Sequence, residues 1–340
     1  MQKKCIDTLI ITNLPSFYKI NLYNEIALYK SIFVIYTGDT SEGRNRDFFT
    51  GEARFDYLFL SSNKLKRLKE VFDQIRFFRY EELILGGWDS LPLWLAAFIS
   101  FRTKNALVVE SSYLESQTRG WKGLLKKIYI SRISKVYASG RSQKKITDDL
   151  GFNGKTIITK GVGVFNYVPQ PQFVPRNQIC NFLYVGRLVT CKNIEMLIET
   201  FNGLPQKNLH IIGFGTLEEK LKKIANDNIH FWGAISNREL FKFYQKMDVF
   251  VLPSRSEPWG LVVEEALNNG LPVLVSNRVG CAEEIVTQGE NGLVFRYDDK
   301  NDLLKCISMI SDLKLYNKMR ENISKMNFEQ IEHEQINCYL

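Results

Sequence analysis

Three observations predict an α/β chain of two doubly wound domains. Short apolar runs alternate with helical stretches, the pattern of parallel strands joined by crossover helices. The 340 residues, at about 150 per domain, allow roughly two domains. Three prolines (169, 171 and 175) fall within residues 168–178, and a stretch that loses backbone donors and biases its neighbours toward extended geometry reads as a linker. The expected division is therefore 1–168, 178–326 and a polar tail at 327–340. A composition of 45% hydrophobic and 24% charged residues excludes a disordered chain. Six scattered cysteines without a C-x-x-C pair fit reduced thiols better than a disulfide framework or a zinc knuckle.

Taken in order, CIDTLIITN reads as a first buried strand. Its apolar stretch runs straight into Thr12 and Asn13, unlike a signal peptide. A helix over about 21–28 and the strand SIFVIYTG follow. The longest nearly apolar stretch, Leu91 to Ile99, contains Pro92 and is half of what a membrane span needs. KNALVV (104–109) and KVYA (135–138) read as further strands. Beyond the linker come the strands NFLYVGR, NLHIIGFGT, NIHFWG, DVFVLPS, LPVLVSN and GLVF. Helices are expected at 193–202, from LEEKLKKIAN, up to about Lys246, at VVEEALNN and over 302–325. Thr216 with Glu219, and Ser236 with Glu239, have capping-box spacing ahead of two of these helices.

The net charge of +8 is unevenly placed. Residues 1–170 hold 26 Lys/Arg against 16 Asp/Glu, whereas 171–340 hold 19 against 21. Residues 116–147 alone carry nine basic side chains and no acid. Such a block focuses positive potential, and its candidate partners are a membrane surface, a phosphorylated lipid or a nucleic acid.

In open parallel sheets, ligands gather beyond the carboxyl ends of the strands, and four turns qualify. Arg187 follows a strand directly and Lys192 opens the next helix, so both can meet one anion beside helix N–H groups; two ordinary surface cations are the alternative. Gly213 and Gly215 sit between a strand and a helix, where they permit close backbone approach to a ligand or simply a tight turn. Glu257 lies between a strand and a helix that Pro258 and Gly260 help to start, leaving N–H groups of Trp259, Gly260 and Leu261 to face outward. Glu265 sits further into that helix. Each carboxylate can accept from vicinal hydroxyls of a sugar or ribose ring, or serve only as helix charge. The fourth turn is SNRVGCAEEI, with Glu283 and Glu284 at a helix start.

The succession VGRLVTCKNIEMLIETF, IIGFGTLEEKL, NIHFWGAIS, MDVFVLPSRSEPWGLVVEEAL, GLPVLVSNRVGCAEEIV and NGLVF resembles the family 4 retaining glycosyltransferases over about residues 180–296. TKGVGVFNY resembles the segment entering the family's second domain, and TNLPSFYKINLYNEI is similar to a subgroup acting on bacterial surface glycans. The resemblance implies a GT-B fold, two Rossmann-like domains facing each other across a cleft. It implies transfer of a hexose or N-acetylhexosamine, with retention, from a nucleotide-diphosphate sugar to a growing, lipid-linked surface glycan. No cofactor or metal is implied; the absence of a D-x-D triplet agrees, and a UDP-sugar is favoured over a GDP-sugar as donor. By the same resemblance Arg187 and Lys192 hold the diphosphate, Glu265 binds the ribose and Glu257 contacts the donor hexose. Backbone N–H groups near Gly260 to Val262 complete that site.

The sequence departs from the family at Gly163, where Asp is common, and at Cys281, where a second Gly is common. Asn13–Leu14–Pro15–Ser16 replaces the glycine-rich first turn. All three histidines (210, 230, 333) lie beyond the linker, and His210 and His230 sit in strand-like runs as structural residues. No histidine of the first domain can act as base. Asp89 and Glu110 remain as candidates, against cap or salt-bridge roles. Block 116–147 lacks both a nucleic-acid module and regularly interleaved aromatics, so the expected partners are the nucleotide sugar, the glycan acceptor and an anionic membrane, not nucleic acid. The expected location is cytoplasmic, peripheral on the inner face of the cell membrane. The competing readings are a catalytically silent nucleotide-sugar scaffold, an inverting GT-B enzyme and a phosphorylase; no cofactor-lysine segment favours the last.

Overall fold

The computed structural model describes residues 3–38, 48 and 51–340. Among these, 3–38, 48, 51–164 and 330–340 form one compact unit and 165–329 another. The first unit contains β1 (Lys4–Cys5), β2 (Thr8–Thr12), α1 (Phe17–Ala27), β3 (Ile32–Tyr36), β4 (Asp56–Phe59), α2 (Lys64–Phe77), β5 (Phe78–Arg79) and β6 (Glu82–Leu85). It continues with α3 (Leu91–Ile99), β7 (Asn105–Val109), α4 (Gly120–Ile130), β8 (Lys135–Ala138), α5 (Arg141–Asp149) and β9 (Lys155–Ile158). Seven strands form a parallel sheet in the order β4-β3-β2-β6-β7-β8-β9, and β1 pairs separately with β5. β2 and β7 are buried at every residue, as near-continuous apolar strands covered on both faces must be.

The second unit contains β10 (Asn181–Val185), α6 (Ile194–Asn202), β11 (Asn208–Ile212), α7 (Glu218–Ile224), β12 (Ile229–Gly233), α8 (Leu240–Tyr244) and β13 (Val249–Leu252). It continues with α9 (Leu261–Asn268), β14 (Val273–Ser276), α10 (Ala282–Ile285), β15 (Gly292–Phe295), α11 (Lys300–Ile310) and α12 (Leu313–Ser324). Its six strands are parallel in the order β12-β11-β10-β13-β14-β15. Strand order reverses at β10, which has β11 on one side and β13 on the other, so the switch point lies between β10 and β13.

Three local expectations need correction. Neither capping box forms: α7 starts after Leu217 and α8 after Glu239, both without a side-chain cap bond. At α7 a tertiary bond replaces the cap, Leu217 N–H donating to the Leu188 carbonyl at 3.0 Å. The helical stretch expected over 302–325 is two helices, broken where Asp312 accepts from the Leu315 N–H at 2.8 Å. Residues 327–340 are not a tail. They form α13 (Phe328–Asn337), which returns the chain to the first unit. There Ile336 and Tyr339 join a hydrophobic core, with the Tyr339 ring stacked 4.5 Å from Tyr137. The polar composition of this helix hid the few apolar residues that anchor it. Among the described residues no helix is long and apolar enough to cross a membrane.

Candidate active site

In the second unit, backbone contacts lock the strand-end turns together. Gly186 N–H donates to the Ile212 carbonyl at 3.0 Å and Leu188 N–H to the Phe214 carbonyl at 2.8 Å. A Cβ on Gly213 would lie 1.9 Å from the Gly186 carbonyl oxygen, and one on Gly215 would lie 2.4 Å from that of Leu188. These glycines, expected to admit a ligand, are required first by the approach of one loop to its neighbour. Arg187 stands exposed on this clamped turn, its carbonyl accepting from the Tyr184 hydroxyl at 3.0 Å.

A single turn of 3-10 helix, Thr190–Lys192, leads through left-handed Asn193 (φ 56°) into α6. Asn193 fixes the geometry by donating to the Tyr297 carbonyl at 2.8 Å and accepting from Arg255 Nε at 2.8 Å. This turns Lys192 onto Glu257, and the two side chains form an ion pair. Ser254 Oγ donates to the same Glu257 oxygen at 3.3 Å. Lys192 and Glu257 were expected to serve different parts of a donor; here they hold each other, with side-chain exposures of only 12% and 13%. Sequence reasoning missed Asn193 and Arg255, whose signal was a polar pair flanking the two motifs.

The Glu257 backbone is tied to the next turn. Its N–H donates to the Arg278 carbonyl at 3.1 Å and its carbonyl accepts from Gly280 N–H at 2.9 Å. Gly280 must be glycine, since a Cβ would stand 1.9 Å from the Pro258 carbonyl oxygen. Gly260 (φ 101°) then starts α9 in the left-handed region. At such a start the first N–H groups, here those of Leu261 and Val262, have no carbonyl one turn back to bond. The Trp259 side chain faces inward at 2% exposure, its indole N–H donating to Glu264 at 2.5 Å. Trp259 therefore offers a ligand no side-chain surface, and Glu264 is buried with it.

Glu265 accepts from the buried Tyr244 hydroxyl at 3.0 Å, and burial pushes its carboxyl up to about 7. It is thus poised between acid and carboxylate near neutral pH. Cys281 is buried and inert, its thiol pushed far up by burial. His210 accepts from the Trp232 indole at 3.1 Å and lies opposite His230, with ring centroids 5.0 Å apart. Burial lowers His210 to about 4, so it is neutral at physiological pH.

In the first unit a cavity of about 210 Å³ opens at the carboxyl ends of β2, β6 and β7. Both base candidates, Asp89 and Glu110, line it, together with Asn13, Lys19 and Tyr23. Lys19, which the sequence did not single out, is buried and paired with Glu110. Gly163 explains one departure from the family pattern. At φ 153° its Cβ would lie 2.6 Å from the Tyr18 carbonyl oxygen, leaving no space for Asp. Three cations of the basic block 116–147 are engaged within the chain. Lys135 pairs with Glu82, Lys144 with Asp148, and Arg132 bonds carbonyls at the end of α3. Among the described residues, no group of three or more His, Cys, Asp or Glu side chains could hold a metal ion.

Residues 176–326 match the family of glycosyl transferases group 1. The sulfoquinovosyl transferase SQD2 of Arabidopsis thaliana is 35% identical over 154 residues, 44% of this chain and 29% of that one. The O-antigen biosynthesis glycosyltransferase WbnH of Escherichia coli is 36% identical over 166 residues, 47% of each chain. These alignments span less than half of either relative. HepE from Anabaena, solved with UDP and glucose, superposes with a TM-score of 0.71 over 96% of this chain and 97% of its own, at 16% identity. At that identity the likeness speaks to the fold. The protein has the GT-B fold, and its residues 176–326 match the glycosyl transferases group 1 family.

Proposed function

We propose that the protein is a retaining glycosyltransferase that moves a hexose or N-acetylhexosamine from a UDP-sugar to a lipid-linked surface glycan. The observation that carries this is the buried Lys192–Glu257 pair beside the start of α9, with Arg187 exposed on the preceding turn. A diphosphate arriving there meets Lys192, Arg187 and the first N–H groups of α9. Lys192 then divides its charge between phosphate and carboxylate, and Glu257 turns its acceptor oxygens to the hydroxyls of the sugar. Glu265 takes the ribose diol. Gly213 and Gly215 set the floor of the site rather than touching the ligand.

In the reaction the bond from the anomeric carbon to the diphosphate oxygen breaks, and a bond to the acceptor oxygen forms on the same face. The acceptor proton passes to the departing phosphate. Arg187, Lys192 and the α9 N–H groups stabilise the charge that develops on the leaving group. Asp89 and Glu110, in the cavity of the first unit, orient the acceptor hydroxyls. The relatives named above support the substrate classes: one bears an O-antigen biosynthesis name, and one fold neighbour was solved with UDP. A lipid-linked acceptor places the protein at the inner face of the cell membrane, its basic region toward anionic lipid.

Thermal unfolding with UDP, GDP, ADP and their sugar conjugates tests the donor, because a ligand specific to the folded state raises the midpoint by mass action. UDP and a UDP-sugar should shift it most. Transfer undiminished in Lys192→Ala or Glu257→Ala, or a shift by GDP alone, would overturn the assignment.

A further inference from the structure

Helix α4 carries Trp121, Leu124, Leu125 and Ile128 at the i, i+3, i+4, i+7 spacing that ordinarily faces a core. All four face solvent instead, at 70%, 61%, 43% and 43% exposure. The core side of the helix is held by Gly123, Tyr129 and Ile130. Gly123 packs so tightly that a Cβ would lie 2.2 Å from the Thr118 carbonyl oxygen.

The neighbouring α3 repeats the arrangement. Pro92, Leu93, Ala96 and Ala97 are buried, whereas Leu91 and Phe98 are exposed, and Phe101 just beyond is 77% exposed. The two helices are joined by Trp94, which lies 4.9 Å from the Tyr129 ring and stacks on Phe98. Arg132 pins them further, its guanidinium over the Phe98 ring and bonded to the Phe98 and Ser100 carbonyls. On and beside these helices Arg102, Arg119, Lys122 and Lys127 are exposed, and neither helix contains an acid.

We infer that the outer faces of α3 and α4, with Phe101, form one docking surface for an anionic lipid bilayer. Aromatic and aliphatic side chains on a rigid base, with exposed lysines and arginines on and beside it, match the headgroup–acyl boundary. Apolar groups enter it while the cations meet lipid phosphates. A soluble partner chain would need acids to answer these cations, and a second copy of this face would bring like charges together. The surface differs from the block 116–147 as a whole. It takes in Leu91, Phe98 and Phe101 from outside that block and leaves out Lys135 and Lys144, which serve internal ion pairs. It rests on the transferase reading only in supplying a reason to meet lipid, and docking is measured without donor or acceptor.

Flotation of the full chain with vesicles of phosphatidylglycerol, against vesicles of phosphatidylcholine, tests it. Wild type should float with the anionic vesicles and much less with neutral ones. A Trp121→Ser/Leu124→Ser/Ile128→Ser variant should bind at least tenfold more weakly with an unchanged unfolding midpoint. Lys122→Glu/Lys127→Glu should lose roughly fivefold or more per lysine. Transfer to a water-soluble acceptor should be unaffected in both variants, so failure of docking and failure of the transferase assignment read out separately. Equal flotation of wild type and both variants would overturn the inference. So would a wild-type dimer in sedimentation that the serine variant dissolves.

Discussion

Each unit sets a lysine against a glutamate at the carboxyl ends of its parallel strands, yet the two pairs are built differently. Lys192 and Glu257 extend from turns clamped by Gly213, Gly215 and Gly280, in which one carbonyl lies against the next loop's glycine. Lys19 and Glu110 line an open cavity, and Glu110 is 29% exposed against 13% for Glu257. Water can solvate Glu110 if its partner is removed; Glu257 has far less access to it. The lysine is buried in both units, so the difference lies in the glutamate, shielded within clamped turns in one unit and opening to a cavity in the other. Under the proposed function the first would stabilise charge on a leaving group, and the second would meet an acceptor whose hydroxyls must enter and leave.

Breaking the desolvated pair should have the largest effect. Lys192→Met or Glu257→Gln alone is expected to lower kcat about 10²- to 10³-fold, as loss of a single preorganised electrostatic group does. Stability should also fall by about 3 kcal/mol from the uncompensated buried charge. The double variant should recover much of the stability and none of the turnover, as chemical denaturation and single-turnover assays would show. Stiffness itself is next. Gly213→Ala forces a methyl group against a carbonyl at a backbone φ of 133°, and should cost about 2–3 kcal/mol in denaturant unfolding. A neutral outcome would mean that the loops yield and that the contrast with the first unit is false.

The pair that opens to the cavity should respond less. Lys19→Met and Glu110→Gln are expected to raise the acceptor KM about tenfold with donor KM unchanged, and Lys19→Arg should restore most of it. A kcat loss as large as that of Lys192→Met would make the two pairs equivalent. The smallest effect concerns Glu265. Its pKa of about 7 means that its ionised form is disfavoured in the fold, so stability declines as pH rises from about 4.5 through 7. A ribose diol that needs the carboxylate binds in proportion to the ionised fraction. Donor KM should therefore rise roughly eightfold between pH 7.5 and 6. Glu265→Gln should bind more weakly and lose that dependence.

The same contrast explains what could be read from the sequence. The order of strands and helices in the second unit was legible because each turn and its functional residues lie within a dozen positions, as from Ser254 to Glu265. Lys19 and Glu110 lie 91 residues apart, and only the arrangement of β2, β6 and β7 brings them together. The buried bond between the Trp259 side chain and Glu264 was not legible for a related reason. Helix periodicity shows which residues share a face, but an eight-residue helix packed on several sides buries more than one face. The Thr216–Glu219 capping box failed because the bond from Leu217 N–H to the Leu188 carbonyl already positions the α7 entry, leaving the local signal without a task.

The return of α13 to the first unit bears on synthesis and engineering. Residues 165–329 are an insertion within another unit, whose own structure is completed by Ile336 and Tyr339. Emerging from the ribosome, the unit that begins first must wait for the one that begins later, its aromatic face around Tyr137 still lacking the Tyr339 ring. A cut after residue 164 would therefore separate a folded cassette from an unfinished host. Exchange of sugar donors between relatives by transplanting residues 165–329 should succeed only when both seams, near 164 and 330, are joined together.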